Sequence, residues 1–179
     1  LIRNSSVTPD EKAILIAMSE NEGKLDSIQS YDSEILTAGA MQKTINPDGY
    51  GELPIQFWEF KKTYPDKYIL YLENCNWKVV EEKKEKKDKK GNVISTSYKY
   101  EATYKDLSGK ELKDKIREGF QKSRFKTKVN CEPIEPIISL MKDNDFQTIQ
   151  IKDFIKRLNS SLEKKTGWLL IKNIGFCYF

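Results

Sequence analysis

Histidine is absent from the 179 residues. That absence removes Ser-His-Asp and Cys-His catalysis in their usual forms, HExxH metalloproteases and His-ligated zinc. Acid–base chemistry is left to Asp, Glu, Lys, Tyr or Cys, and paired carboxylates are the common solution. Cysteine is scarce: Cys75, Cys131 and Cys177 lie far apart with no CxxC pair, which argues against a zinc centre or a disulfide framework and favours buried thiols. No apolar run approaches the ~18 residues needed to span a bilayer. The opening Leu1-Ile2-Arg3-Asn4 carries no charged-then-apolar signal, so targeting information is expected to lie outside this segment.

What the chain does contain describes one soluble domain over residues 1–179. A hydrophobic share of 38% and a charged share of 32% give a core beneath a heavily solvated surface. The net charge of +4 is mild for a nucleic-acid binder, but suits work on an anionic polymer such as a bacterial wall.

Thr8-Pro9-Asp10-Glu11 combines an N-cap threonine, proline at the first helical position and an acid at the third, so a helix is predicted to start here. Ile14, Ala17, Met18 and Asn21 share one face, and Gly23 is a stop signal. Glu20 and Glu22 then fall at the C-terminal end, where the helix dipole disfavours carboxylate ionisation. Leu36-Thr37-Ala38-Gly39 reads as a short strand and turn, as does Tyr31-Asp32-Ser33, and Asn46-Pro47-Asp48-Gly49 as a tight turn. Helices are predicted from Pro54 to Tyr64 and from Pro65, with Phe57, Trp58 and Phe60 facing the body. A long β-hairpin at about 76–105 carries the lysine-rich run Lys83–Lys90 to a turn near Gly91-Asn92. The interrupting acids Glu81, Glu82, Glu85 and Asp88 favour a solvated mixed-charge arm over a basic patch for an anionic glycan or nucleic acid. Further helices are expected from Leu107 to Gln121, Pro133 to Met141 and Thr148 to Glu163. The apolar end from Trp168 to Phe179 is expected to pair against the body or to continue into further chain.

The chemistry concentrates between Glu22 and Gln42, EGKLDSIQSYDSEILTAGAMQ. A carboxylate follows a helix, a second stands ten residues on, and a hydroxyl five beyond that. Two carboxylates flanking a glycosidic bond can perform its cleavage, one as proton donor and one activating water or stabilising an oxocarbenium-like transition state. Glu22 is the natural acid and Asp32 the natural partner. Glu20 is the main rival, but sits about 160° away around the helix.

This segment resembles the catalytic core of the lysozyme-like superfamily. Glu22, Asp32 and Thr37, with Gly23 after the acid and Thr37-Ala38-Gly39, are similar in order and spacing to the Glu, Asp and Thr of phage-type lysozymes. Glu22-Gly23-Lys24-Leu25-Asp26 with Ser30 and then Gly39-Ala40-Met41-Gln42 resembles the lytic transglycosylase pattern, and Thr-Ala-Gly is also similar to chitosanases. The strong match covers about a fifth of the chain. Where phage-type lysozymes follow Thr-x-Gly with Gly-His, this chain has Ala40-Met41. The resemblance implies an enzyme, a glycosidase cutting β-1,4 bonds of peptidoglycan as muramidase or lytic transglycosylase. Glu22 would be its general acid, Asp32 its general base or electrostatic partner, and Thr37 the residue positioning water, with Tyr31 and Gln42 lining the sugar cleft. It implies no metal or organic cofactor. It implies an extracellular or periplasmic site of action, reached by secretion or by delivery from a phage, secretion or injection machine. The alternatives are a chitosanase-like enzyme and a non-catalytic module of the same fold that docks a partner or an anionic polymer. A weaker echo in Asp145-Phe146-Gln147, Gln150 and Arg157 points to a late helix bordering the cleft. The expected fold is mainly α within an α+β class: a lysozyme-like helical domain with a small β region after the first helix, plus the hairpin.

Overall fold

The computed structural model describes residues 7–21, 23–30, 33–118, 120–122, 127–129 and 132–163, the side chains of 21, 120–122, 127–129 and 162–163 excepted. The apolar end 168–179, Cys131 and Cys177 lie outside the described residues.

Helix α1 (Pro9–Asn21) starts on the capping box written into its sequence. The Thr8 amide donates to Glu11 Oε2 at 2.8 Å and the Glu11 amide to Thr8 Oγ1 at 3.3 Å, so two otherwise orphaned donors are satisfied reciprocally. Its buried residue is Leu15, flanked by Ile14 and Met18, whereas Ala17, expected inward, is exposed. Among the described residues this face packs in a small cluster with Leu25, Ala40, Met41 and the 151–158 stretch of the last helix.

Three short strands follow, β1 (Ile28–Gln29), β2 (Leu36–Ala38) and β3 (Lys43–Ile45), antiparallel in the order β1-β2-β3. Thr37 pairs with Gln29 on one side and Thr44 on the other. Because side chains alternate across a strand, these three share one face while Leu36, Ala38, Lys43 and Ile45 share the opposite one. Helix α2 (Glu52–Thr63) begins two residues before Pro54, which sits in the first turn where its missing amide removes no helical bond. At its N-cap, Gly51 has φ +134°, and a Cβ there would lie 2.2 Å from the Thr44 carbonyl oxygen, so the helix start rests directly on β3.

Helix α3 (Pro65–Tyr71) and a 3₁₀ turn (Glu73–Cys75) lead into the hairpin. Cys75 is half-buried, not enclosed, because it lies on that turn. Strands β4 (Trp77–Lys87) and β5 (Val93–Tyr104) pair along their length as expected. Their base is core: Trp77, Val79, Ala102 and Tyr104 are buried, and Trp77 Nε1 donates to the Pro133 carbonyl at 2.7 Å.

Helix α4 (Gly109–Glu118) is shorter than expected: the predicted helical stretch to Gln121 gives way to β6 (Phe120–Lys122), paired with β7 (Thr127–Val129). Gly119, a poor helix residue, separates the two. Helix α5 (Ile134–Lys142) precedes α6 (Asn144–Glu163), which starts four residues ahead of Thr148. Asp143 explains the early start, its Oδ1 accepting from the amides of Asp145 at 2.8 Å and Phe146 at 3.2 Å.

The main core joins Leu36, Ala38 and Ile45 to Phe57, Phe60, Tyr68, Trp77, Tyr104 and Phe146, and the smaller one lies under α1. The described residues thus form an α+β fold of six α-helices with three small antiparallel sheets. Among them no helix is long and apolar enough to cross a membrane.

Candidate functional site

A cleft of about 180 Å³ opens beside β1 and β2, walled by Gly23, Ser27, Ile28, Gln29, Thr37, Ala38, Gly39 and Gln42. It is smaller than the ~300–1,000 Å³ of a complete ligand pocket. Its described lining consists of Ser, Thr, Gln and Gly residues with the aliphatic Ile28 and Ala38, none of them charged.

Each wall is held by local bonds. The Gly39 amide donates to the Ser27 carbonyl at 2.9 Å, and Ser27 Oγ donates to the Lys24 carbonyl at 2.8 Å. After Thr37 and Ala38 the chain reverses at Gly39 (φ +76°), and the Gln42 amide closes the turn onto the Gly39 carbonyl at 3.0 Å. Gln42 itself has φ +48°, a left-handed backbone that costs a non-glycine residue of order 1 kcal/mol. Behind the wall stands Gln150 from α6, a buried side chain whose Nε2 donates to the Leu25 carbonyl at 3.1 Å. A Cβ on Gly39 would lie 2.3 Å from Gln150 Oε1. The glycine is therefore required twice, for its φ and for the close approach of this amide.

The segment on either side of residues 31–32 is also pinned. Buried Ser30 donates from Oγ to the Ile35 carbonyl at 2.6 Å. From α4, Arg117 Nε donates to the Ser30 carbonyl at 3.3 Å and Lys113 donates to the Ser33 carbonyl.

Below the sheet lies a charged cluster that sequence reading missed. Lys43, adjacent to Gln42, is turned inward with 3% of its side chain exposed, and its Nζ stands 3.0 Å from both Glu52 Oε2 and Asp153 Oδ2. Arg157 pairs with Glu52 and reaches Asp153 Oδ1 at 3.5 Å, while Gln56 Nε2 donates to Asp153 Oδ2 at 3.1 Å. Burial would raise the Asp153 carboxyl, but the hydrogen bond and charge of Lys43, with Arg157 and Gln56, outweigh it and hold the group below the usual carboxylate range. Burial likewise opposes ionisation of Glu52, and its bonds to Arg157 and Lys43 hold it low. Both acids are thus ionised and neutralised, which ties β3, α2 and α6 together and suits a structural role. The available signal was the two-residue spacing of Lys43 from Ile45, which puts both on the inward face.

Of the residues expected in the site, Thr37 is buried at the cleft wall and Gln42 stands exposed at its rim. Glu22, Tyr31 and Asp32 lie outside the described residues; Gly23, the chain neighbour of Glu22, lines the cleft. Glu20 is exposed on α1. The nearby aromatics belong elsewhere: Tyr50 donates to Glu82 at the hairpin, Trp58 packs on Tyr100 with ring centroids 5.6 Å apart, and Tyr64 packs on Phe60. Of the late-helix residues, Gln150 backs the cleft, Arg157 joins the charged cluster, Phe146 is core and Asp145 pairs with Lys67. Among the described residues no group of three or more Cys, Asp or Glu is gathered to hold a metal ion.

No family model, curated protein or solved structure matches this chain.

Proposed function

We propose that the chain is a glycan-cleaving domain of lysozyme type that cuts β-1,4 bonds of bacterial peptidoglycan with Glu22 as general acid. The observation that carries this reading is the meeting, in one cleft whose described lining is uncharged, of Gly23, Thr37 and Gln42, which lie up to nineteen positions apart in sequence. Hydroxyl and amide groups without fixed charge match the hydrogen-bonding character of a sugar ring, and a cleft of this size takes part of a polymer. In this scheme Glu22 protonates the glycosidic oxygen as the bond to the anomeric carbon breaks. Asp32 stabilises the oxocarbenium-like centre or deprotonates the water that attacks it, Thr37 orients that water, and Tyr31 and Gln42 hold the sugar. If the sugar's own hydroxyl attacks instead, the product is an anhydro sugar and Asp32 is structural. The wall substrate implies action outside the cytoplasm, after secretion or delivery.

Purified peptidoglycan is the test substrate, with turbidity as the readout and mass spectrometry of released fragments. Wild type is expected to clear it, with reducing ends for a hydrolase or anhydro ends for a transglycosylase. Glu22→Gln is expected to lower the rate by about 10²–10⁴-fold, while Glu20→Gln clears normally. Full activity of a folded Glu22→Gln protein removes the general-acid assignment. A folded wild type inert on peptidoglycan and chitosan favours a binding module.

A further inference from the structure

We propose that the distal half of the β4–β5 hairpin is a docking arm for an anionic phospholipid surface. Every residue from 83 to 99 is exposed except Asp88, which is half-buried in its own turn. Five β4 residues beyond Glu82 carry the ribbon about 17 Å outward. An isolated two-stranded ribbon is marginal in water, yet this one carries exposed aliphatic groups at its far end, Val93 (49% exposed) and Ile94 (57%), and an exposed Tyr98 (52%) opposite Lys83 nearer its base.

The charge of the arm is strongly one-sided, with seven lysines and two acids between 83 and 99. The acids that interrupt the lysines are engaged locally. Glu81 accepts from Tyr100, Glu82 from Tyr50, and Glu85 pairs with Lys83 at 2.6 Å. Asp88 is spent on the turn, accepting from the amides of Lys90 at 2.8 Å and Asn92 at 2.9 Å. Lys86, Lys87, Lys89 and Lys90 pair with no carboxylate among the described residues. The arm therefore ends in a cluster of four such ammonium groups, two at the end of β4 and two in the turn, with Val93 and Ile94 at the start of β5.

The chemistry of this end distinguishes its partner. The arm contains no arginine, so it lacks the planar fork that recognises individual phosphates, while lysine ammoniums respond to a diffuse negative field. A soluble polyanion would satisfy the lysines and leave Val93 and Ile94 in water. An anionic bilayer satisfies both, drawing lysines to its surface potential and accepting the aliphatic side chains of the tip at the headgroup boundary. This inference is independent of any role for Glu22.

The test is sedimentation of the whole chain with phosphatidylcholine vesicles and with vesicles of phosphatidylcholine and phosphatidylglycerol in equal parts. Binding is expected only to the anionic vesicles, with loss at ~1 M salt where screening shortens to ~3 Å. Combined Lys86→Gln, Lys87→Gln, Lys89→Gln and Lys90→Gln substitution is expected to weaken binding at least ~100-fold. Val93→Ser with Ile94→Ser is expected to weaken it ~10-fold while circular dichroism stays unchanged. No sedimentation with anionic vesicles overturns the proposal. So does binding indifferent to Val93→Ser and Ile94→Ser and fully displaced by soluble polyphosphate, which identifies a polyanion site instead.

Discussion

Replacing Lys43 by methionine isolates the inward-facing cluster under the cleft. The substitution removes an ammonium 3.0 Å from two carboxylates while filling most of the same space. Breaking a buried ion pair by removing one partner costs about 3–5 kcal/mol. Here the loss is smaller, because Asp153 keeps Arg157 and Gln56, and Glu52 is 46% exposed and can turn to solvent. About 2–3 kcal/mol remains, which at a slope of about 2 kcal/mol per molar urea lowers the midpoint by about 1–1.5 M. The pH dependence follows from the depressed Asp153 carboxyl. A group held below its unfolded pKa of about 3.9 contributes its full stabilisation above that value and loses it as pH falls through the folded value. The gap between wild type and Lys43→Met is therefore widest at neutral pH and narrows in acid below about pH 4. Urea unfolding followed by tryptophan fluorescence at pH 7 and pH 3 measures it. An unchanged or raised midpoint at pH 7, or a gap equal at both pH values, would refute the reasoning.

Other substitutions probe the cleft and the core separately. Gly39→Ala should destabilise by about 2 kcal/mol because of its φ and the Gln150 contact; adding Gln150→Ala should recover part of that cost, and strict additivity in urea unfolding would show that the contact is unimportant. Gln42→Gly should leave stability within about 1 kcal/mol, since it relieves a left-handed backbone, yet slow peptidoglycan clearing about ten-fold if its side chain holds sugar; equal clearing would remove Gln42 from the site. Trp77→Phe should cost about 2–3 kcal/mol in thermal or chemical unfolding, through a lost ring and an unpaired Pro133 carbonyl, and a cost under about 0.5 kcal/mol would contradict the buried bond.

Local signals in this sequence were readable where the chain's own neighbours decide the outcome. The capping box of Thr8 and Glu11, the Asn46 turn, the prolines of α2 and α3 and the alternation around Gly91-Asn92 each act within a few residues, and each corresponds to the observed element. Asp143 as the cap of α6 was equally local but hidden, since Asp143-Asn144-Asp145 reads as a polar loop until the helix beyond it is known. The inward turn of Lys43 had only the alternation with Ile45 to mark it, and a lysine reads as surface unless the acids facing it, at 52 and 153, are already brought close. The start of β6 fell within a helical pattern read as far as Gln121, and β7 had no strand signal singled out for it. For the cleft, sequence singled out the stretch from Glu22 to Gln42, and Gly23, Thr37 and Gln42 of it line one cleft, while the backing by Gln150 depends on a contact spanning 125 positions.

That span bears on when the cleft can exist. Its rear support comes from α6 and its walls from residues 23–42, so synthesis must deliver nearly the whole described chain before Gln150 reaches Leu25 and Gly39. The same holds for the Gln56–Asp153 and Glu52–Arg157 links beneath it. Such distant pairings carry the largest loop-closure cost and form late. A nascent chain still lacking α6 can form its helices and the β4–β5 ribbon, but not a braced cleft. Any bond-breaking capacity seated there is consequently withheld until α6 has been made and has closed on residues 23–42.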